Sequence, residues 1–162
     1  MNAQYEFLLE NLLTACKIFY GERLVSLVIF GSVGRGTPRS DSDIDVLIVA
    51  ENLPNGRMPR VSEFSAVEKM LATHLDQAWR VGVTADWSPL FKTPAEVQRG
   101  SPLFLDMIDD ARFLYDRDGF MQHALAKFKA RLEQLGARRI WQGNVWHWDL
   151  KPDYKPGEVF EL

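Results

Sequence analysis

The sequence predicts a small α/β (α+β) domain in which a mixed β-sheet is flanked by helices. Apolar residues recur at helical spacing in three long segments, and short runs rich in β-branched residues lie between them. Turns that carry glycine or proline separate the two kinds of segment. This order of helices and strands fits neither a helical bundle nor a β-sandwich.

The first part of the chain predicts one helix and two strands. The helix carries an apolar stripe that includes Leu8 and Cys16, and Gly21 follows as its stop signal. The second strand is apolar on both faces, so we expect it to lie in the centre of the sheet. The predicted elements are a helix over 3–19, a strand over 24–30, a loop over 31–42, a strand over 44–49 and a surface loop over 51–60.

The next part predicts a return to the sheet through a second helix. A third strand over 80–90 would place Val81, Val83 and Ala85 on one face and Asp86 on the other. The remaining predicted elements are a helix over 61–79, one or two short helices within 92–111, a brief strand over 112–116 and a helix over 118–135.

The length of 162 residues suits one domain, which we place at residues 1–136. Residues 137–162 form an extension rich in tryptophan and proline. Its tryptophans either pack back on the domain or anchor a partner, because tryptophan is enriched where protein interfaces bind most tightly. Both alternatives stay open for Trp146 and Trp148, and packing is favoured for Trp141.

Composition and charge narrow the functional classes. The net charge of −3 argues against a protein that binds mainly nucleic-acid backbone, although a small charged substrate remains compatible with it. The single cysteine, Cys16, rules out a disulfide within the chain. The N-terminus does not have the pattern of a signal peptide, and no apolar run is long enough to cross a bilayer. We therefore expect a cytoplasmic protein without a membrane partner.

Two acids open the second predicted strand. Asp43 and Asp45 are two residues apart, so a strand would aim both carboxylates at the same face, roughly 6.5–7 Å apart along the chain. Two neighbouring carboxylates disfavour each other's ionisation unless a cation lies between them. Oxygen ligands suit Mg²⁺ or Mn²⁺ rather than zinc. A polar turn before a strand would also explain these acids if they were taken alone.

A glycine-rich loop lies between the two strands. Gly31 lets the backbone approach a ligand closely, and Ser32 offers a hydroxyl and a backbone N–H at the same place. Arg35 and Arg39 could add charge-assisted bonds to a polyphosphate. The loop is not a dinucleotide fingerprint or a P-loop, because neither GxGxxG nor Gly-Lys-Ser/Thr is present.

These motifs resemble those of the DNA polymerase β-like nucleotidyltransferase superfamily, and in particular its small bacterial branch, the minimal nucleotidyltransferases (MNT). The core match covers residues 24–90. The resemblance rests on Gly31-Ser32, Gly34-Arg35-Gly36 and Ser42-Asp43-Ile44-Asp45-Val46. It implies the polymerase β-like fold and the transfer of a nucleoside monophosphate from ATP or another NTP to an acceptor hydroxyl. Some members of this branch are antitoxins paired with HEPN-domain toxins, so a HEPN-type partner is implied as well.

Carried over position by position, the resemblance implies a set of site residues. Gly31, Ser32, Arg35 and Ser42 would bind the nucleotide, and Asp43 and Asp45 would coordinate the metal. The family uses a third carboxylate on a later strand, which would ligate the metal and orient or deprotonate the attacking hydroxyl. Asp86 is the candidate, with Asp76 as a second choice.

Two alternatives to this enzyme remain at this stage. The first is a non-catalytic, antitoxin-like binding module with a vestigial nucleotide site, and the second is a transferase for a small molecule such as an aminoglycoside. Self-association is also left open. The remaining charged residues and histidines that attract notice are interpreted as surface, capping or packing residues: His74, His123, His147, Asp109, Asp110, Arg138 and Arg139. A bound cation stays an alternative for the two acids, and a phosphate contact stays one for the two arginines.

Overall fold

The computed structural model describes residues 2–143 and 145–162, and it confirms the mixed sheet with flanking helices. Short 3-10 turns cover Gly21–Arg23, Pro102–Asp106 and Arg117–Gly119. The helices are α1 (Ala3–Tyr20), α2 (Gly31–Gly34), α3 (Arg57–Arg80), α4 (Pro94–Gln98) and α5 (Phe120–Leu135). The strands are β1 (Leu24–Phe30), β2 (Ile44–Ala50), β3 (Trp87–Lys92), β4 (Arg112–Asp116), β5 (Arg138–Gln142) and β6 (Val145–Asp149).

The main sheet has four strands in the order β3-β2-β1-β4. Strand β1 runs antiparallel to β2 and β4, whereas β2 and β3 are parallel because α3 carries the chain back between them. Strand β2 is central, as its continuous apolar run predicts. Strand β3 forms one edge of the sheet, which is the position where a proline such as Pro89 is tolerated within a strand.

Helices cover both faces of this sheet, and alternation along β2 divides its side chains between two cores. On one face α1 and α3 pack against Val46 and Ile48. On the other face α4, α5 and the segment around Met107 pack against Leu47 and Val49. Asp43 and Asp45 continue the alternation of Leu47 and Val49, so they belong to the α5 face, at the end of β2 where the chain enters the sheet.

The third strand begins later than its apolar alternation predicts. Helix α3 extends to Arg80 and ends in a Schellman motif, in which Gly82 donates to the Trp79 carbonyl and Val83 donates to the Ala78 carbonyl. Gly82 takes the positive φ of 89° that this motif requires. The expected strand over 80–90 is therefore wrong in its first half, and Val81 is exposed rather than in the core.

The region over 51–60 is likewise only partly a loop. Helix α3 already begins at Arg57, and Arg60 is buried. The Arg60 guanidinium donates two hydrogen bonds to the Glu96 carboxylate, at 2.8 and 3.0 Å. Glu96 also accepts from the backbone N–H of Thr93, which makes it part of the capping box of α4. This pair fastens the short helix α4 to α3.

The tail beyond α5 forms a separate two-stranded antiparallel sheet, β5 with β6, called here the tail hairpin. Trp148 and Leu150 pack against the α5-side core, whereas Trp141 is 55% exposed, so the expected packing of Trp141 is wrong. The last residues run across the surface, and the Glu161 carbonyl accepts a hydrogen bond from Arg131 of α5. Within residues 2–143 and 145–162, none of the helices has the length and apolar character needed to span a bilayer.

Candidate active site

The glycine turn and the second acid of β2 are in direct contact. Gly31 has a φ of 64°, a conformation that favours glycine. A Cβ atom added at Gly31 would lie 2.2 Å from Oδ2 of Asp45, closer than two such atoms can approach. Phe30 pairs with Asp45 across the β1–β2 ladder, which is why the turn that follows β1 faces this carboxylate. The absence of a side chain at Gly31 is therefore what makes room for Asp45.

The acids predicted to hold a metal lie at one end of two neighbouring strands. Asp43 is exposed just before β2, and Asp45 is half-buried within it. Asp86 is exposed immediately before β3, and its carbonyl accepts from the Ile44 N–H at 2.8 Å. Since Ile44 pairs with Trp87 in the parallel ladder, Asp43 and Asp86 stand one residue before the same rung.

The three carboxylates do not converge on one point. Asp43 is close enough to Asp45 to act on its pKa, whereas the Asp86 carboxylate accepts from the Trp87 N–H at 2.8 Å, which holds it at the N-terminal end of β3. Within the described residues, no group of three His, Cys, Asp or Glu side chains has the geometry to hold a metal ion. The candidate ligands are nevertheless all carboxylates, which is the chemistry that Mg²⁺ or Mn²⁺ prefers.

The loop between Gly31 and Asp43 is held in place from two sides. The buried Tyr5 of α1 places its hydroxyl 2.8 Å from the Arg39 carbonyl and 2.9 Å from the Ser42 carbonyl. The Thr84 N–H donates to the Ser40 carbonyl at 2.7 Å, which ties the loop to the segment before Asp86. These hydrogen bonds hold the loop in a defined shape.

The electrostatics of the site favour a cation. The pKa of Asp45 is raised, first because burial removes its carboxyl from water and then because Asp43 and Asp106 are negatively charged nearby. The neighbouring Ser88 hydroxyl and the Arg35 guanidinium act in the opposite direction and lower this pKa. Two negatively charged groups and one positively charged group thus act on Asp45. Because the negative groups outnumber the positive one, a bound cation would stabilise the charged form of Asp45.

The predicted nucleotide-binding residues lie in the same segment between β1 and β2, but each makes different contacts there. Ser32 lies in α2, and its carbonyl accepts from the Thr37 N–H at 2.9 Å. Ser42 uses its hydroxyl oxygen to accept from the Arg39 N–H at 2.9 Å, so its side chain shapes the turn. Arg35 remains partly exposed, and its guanidinium lies 3.5 Å from the Asp110 carboxylate.

The sequence does not single out two residues of this region, Ser88 and Asp106, and it gives two others, Asp110 and Arg139, a different role. Ser88 pairs with Asp45 in the β2–β3 ladder. Asp106 acts on the pKa of Asp45, and Asp110 contacts both Arg35 and Arg139. The interpretation of Arg139 as a solvated residue is wrong, because only 16% of its side chain is exposed. Its neighbour Arg138 is exposed, as expected, so the signal that could have separated them is the alternation of β5.

A cavity of about 540 Å³ lies away from these residues. Val25, at the start of β1, and Glu51, just past β2, contribute to its lining. Both mark the end of the sheet opposite to Asp43 and Asp45, so the cavity is separate from the candidate active site.

The mixed sheet, with a glycine turn packed against a carboxylate-bearing strand, is the arrangement that the resemblance to nucleotidyltransferases implies. The profile of the nucleotidyltransferase domain matches residues 9–101, more than half of the chain. The chain belongs to this nucleotidyltransferase family, which confirms the superfamily that the motifs resemble and makes the protein a nucleotidyltransferase.

Among curated proteins, the chain is similar to one of Methanocaldococcus jannaschii named "Putative protein adenylyltransferase MJ1305". The two are 30% identical over 141 residues, which cover 86% of this chain and 90% of the relative. The similarity therefore extends well past the family profile and into the tail hairpin.

Solved structures of toxin–antitoxin complexes are also similar to this chain. One, a complex with AMP-PNP, matches with a TM-score of 0.48 and 16% identity over 79% of this chain and 92% of that chain. Another, described as the toxin–antitoxin MntA-HepT, matches with a TM-score of 0.46 and 12% identity over 81% and 92% of the two chains.

Proposed function

We propose that this nucleotidyltransferase transfers AMP from ATP to a hydroxyl group of a protein. The observation that carries the proposal is the contact between the Gly31 turn and the Asp45 carboxylate, which places a candidate metal ligand directly against the turn that follows β1. The relative named as a protein adenylyltransferase supports both the adenylyl group and the protein acceptor.

Asp43 and Asp45 would hold Mg²⁺ or Mn²⁺, with Asp86 as the third carboxylate. Their oxygen donors and the acidic surroundings of Asp45 fit such an ion. When bound, the metal would neutralise the triphosphate and polarise the oxygens that attack and leave. The protein would keep these acids fixed through β2 and β3, whose ladder sets the separation of Asp43 and Asp86.

The nucleotide would lie against the loop that connects β1 and β2. The turn at Gly31 places the start of this loop against Asp45, and Ser32 offers its hydroxyl at the same turn. Arg35 would turn from Asp110 to a phosphate oxygen, since the 3.5 Å contact between them is long for an ion pair. Ser42 would contribute by fixing the turn before Asp43 through its bond from the Arg39 N–H.

Asp86 would act on the acceptor. Its exposed position, one residue before the rung that pairs Ile44 with Trp87, leaves its carboxylate accessible to a protein side chain. There it would accept a hydrogen bond from the attacking hydroxyl and receive its proton as the bond to the α-phosphorus forms and pyrophosphate leaves.

The acceptor that we propose is a HEPN-type partner, with this chain as the antitoxin of the pair. This proposal rests on the resemblance of the three motifs to the MNT branch. Under the alternative of a non-catalytic module, ATP would bind or fail to bind without any transfer. Under the small-molecule alternative, transfer would occur without a protein acceptor.

The test incubates the protein with Mg²⁺ and ATP labelled at the α-phosphorus, with and without a co-expressed HEPN-type partner. We expect label on the partner protein, lost in an Asp43→Asn variant. The Asp41→Asn variant is the matched control, because Asp41 is exposed in the same loop and pairs only with the exposed Arg39 in the described structure. Absence of label on any protein would overturn the proposed acceptor.

A further inference from the structure

The tail hairpin reaches the nucleotide loop through a single carboxylate. Asp110 Oδ2 lies 3.0 Å from Nη2 of Arg139 on β5 and 3.5 Å from Nη1 of Arg35 on the loop. The two arginines thus share one oxygen atom, although Arg35 is 75 residues from Asp110 and Arg139 is 29 residues from it. The two arginines divide the attraction of one carboxylate, so each is held less firmly than it would be alone.

Arg139 is the better held of the two competitors. Its guanidinium lies over the Trp146 ring at 4.1 Å and near the Trp141 ring at 5.6 Å, both within the range of cation–π attraction. Its side chain is 16% exposed, against 35% for Arg35. Because the tryptophans fix its position, Arg139 stays on Asp110 when Arg35 moves.

Asp110 in turn is fixed relative to the loop. A Cβ atom added at Gly34 would lie 2.7 Å from the Asp110 carbonyl oxygen, so the backbone of α2 and that of residue 110 are in contact. The Asp110 carboxylate is mostly buried, with 13% of the side chain exposed. Its distance from the start of the nucleotide loop is therefore set by backbone packing.

We propose that Arg139 is a positioning residue that keeps Arg35 available for the triphosphate by occupying Asp110. With Arg139 in place, Arg35 has only a weak hold on the shared oxygen and can turn to a phosphate at little cost. Without Arg139, Asp110 pairs with Arg35 alone and withholds it from the nucleotide. The inference rests on the proposed role of Arg35 in nucleotide binding.

The test is a double-mutant cycle on ATP affinity, measured by calorimetry with Mg²⁺ on the full chain. Arg139→Met should weaken ATP binding about fivefold in the wild-type background, the scale of a partly exposed ion pair. In an Arg35→Met background the same substitution should change the affinity little, because its effect passes through Arg35. Arg138→Met, at a neighbouring exposed position of β5, is the control for loss of one positive charge.

The outcomes separate this inference from the proposed function. If Arg139→Met weakens ATP binding equally in both backgrounds, its effect arises from long-range electrostatics or from folding and does not pass through Arg35. That result would overturn this inference but not the proposed function. Unchanged affinity in the wild-type background would do the same. An Arg35→Met variant that binds ATP as wild type does would instead remove the role of Arg35 itself, and the inference with it.

A second variant covers the case in which Arg139→Met fails to fold. Asp110→Asn removes the charge for which both arginines compete, so it should release Arg35 and leave ATP affinity unchanged or higher. Thermal melting followed by tryptophan fluorescence establishes that the variant is folded. A folded Asp110→Asn protein that binds ATP more weakly than wild type would contradict the proposed role.

Discussion

Gly31 shows most directly how one residue determines the site. Its φ of 64° and the 2.2 Å that would separate an added Cβ atom from Asp45 Oδ2 mean that two separate constraints exclude a side chain there. The sequence could predict that glycine was needed, because a glycine after an apolar strand favours close approach. It could not show which atom makes the approach, since that depends on the β1–β2 register.

Gly31→Ala should abolish most of the transfer activity. The added methyl group would displace the Asp45 carboxylate, and a displacement of about 1 Å at a reacting centre can cost about 100-fold in rate. Gly36→Ala is the matched control, because Gly36 also has a positive φ, of 76°, but a Cβ there would meet nothing within 4 Å. Initial rates of AMP transfer, with melting temperatures for both variants, check this; equal rates in the two would contradict it.

Tyr5 and Tyr20 form a natural pair for testing how the loop is anchored. The Tyr5 hydroxyl bonds to the loop carbonyls of Arg39 and Ser42, whereas the buried Tyr20 hydroxyl has no hydrogen-bond partner among the described residues. Tyr5→Phe should therefore destabilise the protein by about 1–2 kcal/mol, because it removes the hydroxyl donor from partly buried loop carbonyls. Tyr20→Phe should leave stability unchanged or raise it. Urea denaturation of both variants measures the difference; equal losses would contradict the anchoring role.

At the scale of elements, the sequence predicted most segments because their cues are local. The apolar stripe of α5 and the αL residue Gly136 that ends it are neighbours in the chain. Strand β3 was misplaced because apolar alternation over 81–85 was given more weight than the glycine at 82. Gly82 ends α3, and the Schellman motif takes up the residues that the strand was expected to contain.

The link between α3 and α4 should weaken in acid. Two hydrogen bonds from Arg60 lower the pKa of Glu96 from 4.5 to about 2. A lowered carboxyl pKa adds stability that is present above pH 4.5 and lost as the pH falls towards about 2. The free energy of unfolding of wild type should therefore fall by about 1–2 kcal/mol more than that of Glu96→Gln over this range. Urea titrations at several pH values check this, and parallel pH profiles would contradict it.

At the scale of the whole molecule, the candidate site depends on contacts that no local pattern reveals. Asp43 and Asp45 were found because they are two residues apart on one strand. The roles of Asp110 and Arg139 depend on bringing the loop, the segment after α4 and the tail hairpin together across the α5 face of the sheet. Such contacts require the complete tertiary structure, so single-sequence patterns cannot supply them.

The tail hairpin also provides a test of domain organisation. Trp148, Leu150 and the C-terminal Leu162 pack against the core on the α5 side, so we propose that residues 137–162 are an integral part of the domain. A chain ending at Gly136 should lose about 2–4 kcal/mol of stability, the scale of burying one or two large apolar side chains. Chemical denaturation of the two lengths measures this. Unchanged stability would contradict integral packing and favour a partner-binding arm.

We propose that the Gly31 turn and the acids Asp43 and Asp45 form the site of nucleotidyl transfer. The sharpest test follows ATP labelled at the α-phosphorus and ATP labelled at the γ-phosphorus with wild type, Asp45→Asn and Asp41→Asn. We expect the α label to reach the acceptor and the γ label to leave with pyrophosphate. Asp45→Asn should lower the rate at least about 100-fold, a typical cost of removing one group that stabilises the transition state, while Asp41→Asn should not. Transfer of the γ label, or full activity in Asp45→Asn, would show that these residues are not the site of nucleotidyl transfer.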